Sequence, residues 1–405
     1  MRRGGSAYRY QQVWENLTAR APEHLRIAHS RRQTAQQLLT DLAAQPPESW
    51  IAQIQKGGEP FRSQDLFDLL LETCQGALPF EPLRAFEVSK AAVEVGRLLA
   101  SAGAENPQTL LPAAPVLEEA LLCRALCLNS HALRLLGQRE HAEAALTRAA
   151  CFLGDPSARG FYGQALGLLR WDQGREEEAV AFLHHAGRRY RELGDVGEEA
   201  KCAALLGLLY LRYDDGAEWQ QAESALLRAQ SGMDCQQRPW LAAQAQLALA
   251  RCQALRGRRS EARALRQSVR SLYPSVPTED DLAALHWLEA QIAQDLEELE
   301  GAGTLLDSAR RSFVARGCLP EATLTTLQLG WIRARQGRGE ETSVLSDELT
   351  RVFGMVKGFD VSSRALQCLA RETARRSLKG KSLAYPKLFL SFRVRGVFPR
   401  PIPFV

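Results

Sequence analysis

A small residue returns along this chain at intervals close to forty positions, and that recurrence limits the possible folds more than any other feature. Four segments share a glycine followed five residues later by a small residue: Gly137 with Ala142, Gly174 with Ala179, Gly257 with Ala262, and Gly337 with Thr342. Ala222 and Ala302 fall in the same register without the glycine. The six small residues are then separated by 37, 43, 40, 40 and 40 positions. Self-similarity at such a period is the mark of stacked supersecondary units, each too small to bury its own apolar face.

Other positions keep the same register. Leu146, Leu183, Leu226 and Leu306 stand four residues past the small residue, where two units carry Arg266 and Ser346 instead. Ala149, Ala186, Ala229, Val269, Ala309 and Leu349 stand seven past it. Twelve before it come Ser130, Gly167, Ala250, Ala290 and Gly330, with Gly207 at fifteen because the turn Asp214-Asp215-Gly216 is longer. Between the turns, apolar residues step by three and four, as in Leu117, Leu121, Ala125, Leu128, Ala132 and Leu135, which is helical periodicity. Nothing before residue 380 alternates with period two, so the expected class is all-α.

Leu206-Gly207-Leu208-Leu209-Tyr210, Leu166-Gly167, Leu329-Gly330 and the Gly-x4-Ala turns resemble the tetratricopeptide repeat (TPR) family over about residues 117–352. The longer period and Tyr190-Arg191-Glu192-Leu193-Gly194-Asp195 look like the long-period repeats in sensor and scaffold parts of signalling proteins. The resemblance implies a right-handed α-solenoid of antiparallel helix pairs. Repeats of the HEAT or armadillo type, at about 40–47 residues, fit the period better. The small-residue signature favours the tetratricopeptide reading, since it names the helix contacts and not only their spacing.

Proline and glycine clusters divide the chain. Residues 1–60 read as an N-terminal helical cap, with Leu25, Ala28, Ala35, Leu38, Leu39 and Leu42 on one stripe. A DNA-reading helix-turn-helix within 30–56 is the lesser reading, because its turn would contain two prolines. Residues 61–116 hold a degenerate repeat and linker, residues 117–374 the repeats, and residues 375–405 a tail with eight basic residues, five aromatics and no acid. That tail reads as a disordered extension rather than an arm for an anionic surface, since no amphipathic period organises its charges.

Composition excludes several functions. No run of apolar residues is long enough to cross a membrane, and the basic start lacks the apolar segment of a secretory signal, so a cytoplasmic protein is expected. Nine cysteines without a Cys-x-x-Cys pair do not form a disulfide framework. A net charge of +4 and pI near 8.6 are too mild for a nucleic-acid footprint. There is no phosphate loop, zinc-protease motif or nucleophile elbow, so no enzyme and no cofactor are expected. Cys123, Cys127 and His131 share a helical stripe, but thiols on the apolar side of a repeat helix normally pack, and no metal is expected. Runs such as Glu176-Glu177-Glu178 are solvated faces.

Stacked helix pairs present their first helices as an extended binding surface. The positions that the family directs into its groove carry Trp171, Lys201, Arg212, Arg251, Trp287, Trp331 and Arg335 here. Tryptophan and arginine dominate interface hot spots. The expectation is a non-catalytic scaffold or sensor that holds a peptide or protein segment, one carrying acidic groups, in that groove. The family's carboxylate clamp, with its paired lysine and asparagine positions, is not reproduced. The alternative is a nucleic-acid-associated regulator using the basic groove or tail.

Overall fold

A computed structural model of the chain describes residues 26–353, apart from 28, 79–80, 106–113, 212–215, 235–238, 276–278 and 318. The tail at 375–405 and the start of the proposed cap therefore lie outside the described residues. All regular structure among the described residues is helical. The chain divides into two compact units, with the boundary between Ala165 and Leu166.

The first unit opens with α1, residues 29–43, and α2, Pro47–Lys56. Pro47 starts α2, where its missing N–H is no loss, so the two prolines of the turn begin a helix rather than break one. Trp50 and Ile54 on α2 are buried with Ala35 and Leu42 of α1, and the Trp50 indole donates to the Gln45 carbonyl at 3.0 Å. Next come α3 (Gln64–Ala77), capped by the Ser63 side chain, and α4 (Pro82–Glu105). Leu66, Leu70, Ala85, Val88, Ala92 and Val95 form the core between them. Then follow α5 (Ala114–Leu135), α6 (Arg139–Ala149) and the first part of α7 (Pro156–Asp172).

The second unit contains the rest of α7, then α8 (Glu176–Leu193), α9 (Val196–Tyr210), α10 (Gly216–Gly232), α11 (Pro239–Leu255), α12 (Arg259–Val269), α13 (Glu279–Asp295), α14 (Leu299–Ala315), α15 (Leu319–Arg335) and α16 (Gly339–Phe353). Each odd-numbered helix is followed by the even-numbered second helix of its hairpin. A 3₁₀ segment, Arg270–Ser275, links α12 to the next pair. The fold is an all-α, TPR-like array of antiparallel helix pairs.

The turn inside four of the hairpins repeats one closure. Gly137, Gly174, Gly257 and Gly337 sit at φ between 74° and 78–79°, a left-handed conformation that glycine adopts without a Cβ penalty. The residue after the glycine donates its N–H to a carbonyl five positions back: Gln138 to Leu133 at 2.9 Å, Arg175 to Arg170 at 2.9 Å, Arg258 to Gln253 at 2.8 Å, and Arg338 to Arg333 at 2.9 Å. This is a Schellman closure. In the α13–α14 turn Glu297 occupies the glycine slot at φ 65°, and Glu298 still donates to Ala293 at 2.8 Å.

The small residues form the seam within each pair. Ala142, Ala179, Ala222, Ala262, Ala302 and Thr342 are all fully buried. Ser130 donates its hydroxyl to the Ala142 carbonyl at 2.9 Å. A Cβ added to Gly167 would lie 2.9 Å from Leu183 Cγ, and one added to Gly207 would lie 2.4 Å from Leu226 Cγ. The helices approach more closely than a methyl group permits. Where Arg266 replaces the recurring leucine, the seam turns ionic: its guanidinium meets Glu298 at 2.7 Å and Glu289 at 3.7 Å. Glu289 is fully buried and also receives Arg270 and the Tyr273 hydroxyl, the latter at 2.8 Å.

Candidate functional site

First helices of the second unit carry two columns of side chains at forty-residue steps. Arg251, Gln291 and Trp331 form one column, and Leu255, Asp295 and Arg335 the next, one helical turn further along. The rungs touch. Arg251 Nη1 donates to Gln291 Oε1 at 3.0 Å along the first column, and Arg251 Nε donates to Asp295 Oδ2 at 3.1 Å across to the second. These contacts join α11 to α13.

One turn before Gln291, Trp287 continues the connection to α15. Its indole N–H donates to Gln328 Oε1 at 2.6 Å, and its ring stands edge-on to Phe313 at 5.9 Å. Trp287 is fully buried. Trp331 is buried as well, and the exposed Arg335 lays its guanidinium carbon 5.1 Å from the centre of the Trp331 ring. That distance is within cation–π range, which holds the guanidinium over an apolar surface while leaving its donors available.

The remaining expected residues fall elsewhere in the unit. Lys201 on α9 is buried with its ammonium 3.5 Å from Glu198. Trp171, near the end of α7, is buried in the core that α7 shares with α8 to α11. Among the described residues its indole N–H has no hydrogen-bond partner. Arg212 lies outside the described residues.

Thus three expected tryptophans are core residues, one of which supports the exposed Arg335, and two expected cations sit beside carboxylates of the same chain. Asp295, Gln291, Gln328 and Gln244 were not among the expected residues. Gln244 is almost wholly buried, and among the described residues neither end of its amide has a partner. Asp295 and Gln291 had a signal in the sequence, being Leu255 and Arg251 advanced by one period. Gln244 had none beyond its helical position. The Arg251–Asp295 pair makes this face less basic than its composition suggests, because the pair contributes no net charge.

The stripe on α5 in the first unit has a different chemistry. Cys123 and Cys127 are buried, and His131 Nε2 accepts from Arg134 at 2.8 Å. Among the described residues, no three His, Cys, Asp or Glu side chains come together as a metal site. Burial pushes the Cys74 thiol up to about 12 and the Cys252 thiol up to about 11, so both stay protonated and behave as apolar side chains. His184 on α8 meets the Tyr210 hydroxyl at 2.9 Å, and burial, then Arg228 and Arg188, lower its pKa. No helix among the described residues is long and apolar enough to cross a membrane.

Similarity to known proteins is visible in three dimensions. No protein-family model matches the chain, and no curated protein sequence matches it. A Rap protein, solved complexed with competence and sporulation factor, superposes with a TM-score of 0.55 at 12% identity, covering 77% of this chain and 87% of that one. BtubC (BKLC) from P. vanneervenii gives a TM-score of 0.44 at 15% identity over 58% of this chain and 92% of that one. The apo form of RapI gives 0.43 at 12% identity over 78% and 100%. At these identities the first of them establishes the helical-repeat fold alone.

Proposed function

We propose that this chain is a non-catalytic interaction scaffold or sensor, which holds a peptide or protein segment against the first helices of α9 to α15. The observation that carries the reading is the ladder itself. Arg251, Gln291, Asp295, Trp287 and Gln328 cross-link successive first helices, so the face is preorganised and loses little conformational freedom when a partner docks. The neighbouring Rap fold was solved with a factor bound, which supports the same use of this fold here. A repeat array offers an extended surface of this kind without a catalytic cleft.

The test is position-resolved cross-linking. A photo-reactive amino acid replaces Arg335 or Arg251 on first helices, or the exposed Leu227 on α10, in the full chain. Illumination in an extract of the protein's own cells should trap the same polypeptide from both first-helix positions and not from Leu227. Equal trapping at all three positions, or trapping of nucleic acid with a steep loss of yield as salt rises, would overturn the reading.

A further inference from the structure

The cations on the first-helix face are not equivalent. Arg251 is less than a quarter exposed and is bound to Asp295 at 3.1 Å and to Gln291 at 3.0 Å. Lys201 is buried beside Glu198. A ligand carboxylate would have to displace a carboxylate that already faces each of them, and the exchange yields little net free energy. Arg335 differs on every count. It is exposed, its charge is parked over Trp331, and among the described residues it has no carboxylate partner.

The column geometry sharpens the difference. Arg335 stands one period after Asp295, the residue that answers Arg251 on the preceding rung. The α11–α13 rung is thus internally neutralised, and the α15 rung ends in a cation. A guanidinium offers a planar fork of donors, which suits a carboxylate or phosphate better than a flexible lysine would. Resting on the reading above, we infer that the bound segment carries its anionic group at the end lying on α15, where Arg335 over Trp331 anchors it, while the stretch over α11 and α13 is recognised through uncharged hydrogen-bonding groups. The ligand class is a polypeptide whose acidic group lies to one side of an uncharged stretch, not one that is acidic throughout.

Affinity selection of a random, C-terminally amidated decapeptide library on the immobilised full-length chain tests this. Wild type should enrich peptides whose Asp or Glu residues gather towards one end. Arg335→Gln should lose that positional bias and bind the selected peptides up to about fivefold more weakly, the loss expected for one solvent-exposed ion pair. Arg335→Lys should retain part of the bias, and Arg311→Gln, on the exposed side of the second helix α14, should retain all of it. An unbiased selection, or an acidic bias that survives Arg335→Gln, overturns the inference while leaving the scaffold reading intact. Failure of wild type to enrich any peptide sinks the scaffold reading and the inference together.

Discussion

The seam inside each helix pair and the ladder between first helices share one period and obey opposite rules. Along the seam the repeat preserves size: Ala179, Ala222, Ala262 and Ala302 are all fully buried, and any of them could replace another. Along the ladder the repeat preserves position and changes chemistry, with Arg251, Gln291 and Trp331 in one column and Leu255, Asp295 and Arg335 in the next. A seam must satisfy only packing, whose solution is the same in every unit. A binding face must present a different group at each rung, or it would recognise nothing in particular. Conservation of size therefore marks structure here, and variation at a fixed position marks the candidate site.

The largest effect should come from breaking the seam. Ala302→Leu places three extra carbons at a fully buried position, and overpacking of this kind costs about 3 kcal/mol. Thermal unfolding should show a clear fall in Tm with helical content retained at low temperature. An unchanged Tm would mean that the α13–α14 seam has slack and that its alanine is not required.

One substitution made at two glycines should give opposite signs. In Gly207→Ala the new methyl would lie 2.4 Å from Leu226 Cγ and 2.7 Å from Cδ2, and Leu226 is fully buried. The overlap should outweigh the gain in helix propensity, for a net loss of roughly 2 kcal/mol. Gly187 lies in the interior of α8, and there a Cβ would meet only Cys202 Cβ at an ordinary 3.5 Å. Gly187→Ala should therefore stabilise by up to about 1 kcal/mol. Urea unfolding of the two variants separates seam glycines from incidental ones, and the same sign for both would undo the distinction.

A gain of about 1 kcal/mol is also expected for Glu297→Gly. Glu297 holds the left-handed position that glycine occupies in four other turns. Its one ion pair, with Arg259 at 3.8 Å and both side chains more than half exposed, adds little. Denaturant midpoints read the change directly. A loss of stability instead would show that the glutamate contributes something its contacts do not reveal.

The fold was legible because its determinants are small, apolar and periodic. The Gly-x4-Ala turns marked hairpins that are present, and Leu146, Leu183, Leu226 and Leu306 are buried as their register requires. Glu297 was illegible as a turn residue, because its side chain says nothing of a left-handed backbone. Arg266 marked a departure at the leucine slot, but its partners Glu289, on α13, and Glu298, just before α14, come from a different hairpin and cannot be matched by spacing. The same limit applied to the site. Composition showed arginines and tryptophans on first helices, and Glu198 stands one helical turn before Lys201, whereas the pairing of Arg251 with Asp295 is visible only once α11 and α13 are placed.

The smallest effect distinguishes a ladder rung from a surface pair of similar spacing. Arg251 and Asp295 are 23% and 18% exposed, so their attraction is only partly screened by solvent. Arg32 and Glu72, in the first unit, are linked at 2.9 Å but are 55% and 57% exposed. In double-mutant cycles with Arg251→Met and Asp295→Asn, the coupling should be about 1 kcal/mol and should persist at high salt. The corresponding cycle with Arg32→Met and Glu72→Gln should give a coupling close to zero once salt screens it. Equal couplings in the two cycles would mean that the rung is an ordinary surface ion pair, and the preorganised face would lose its main physical support.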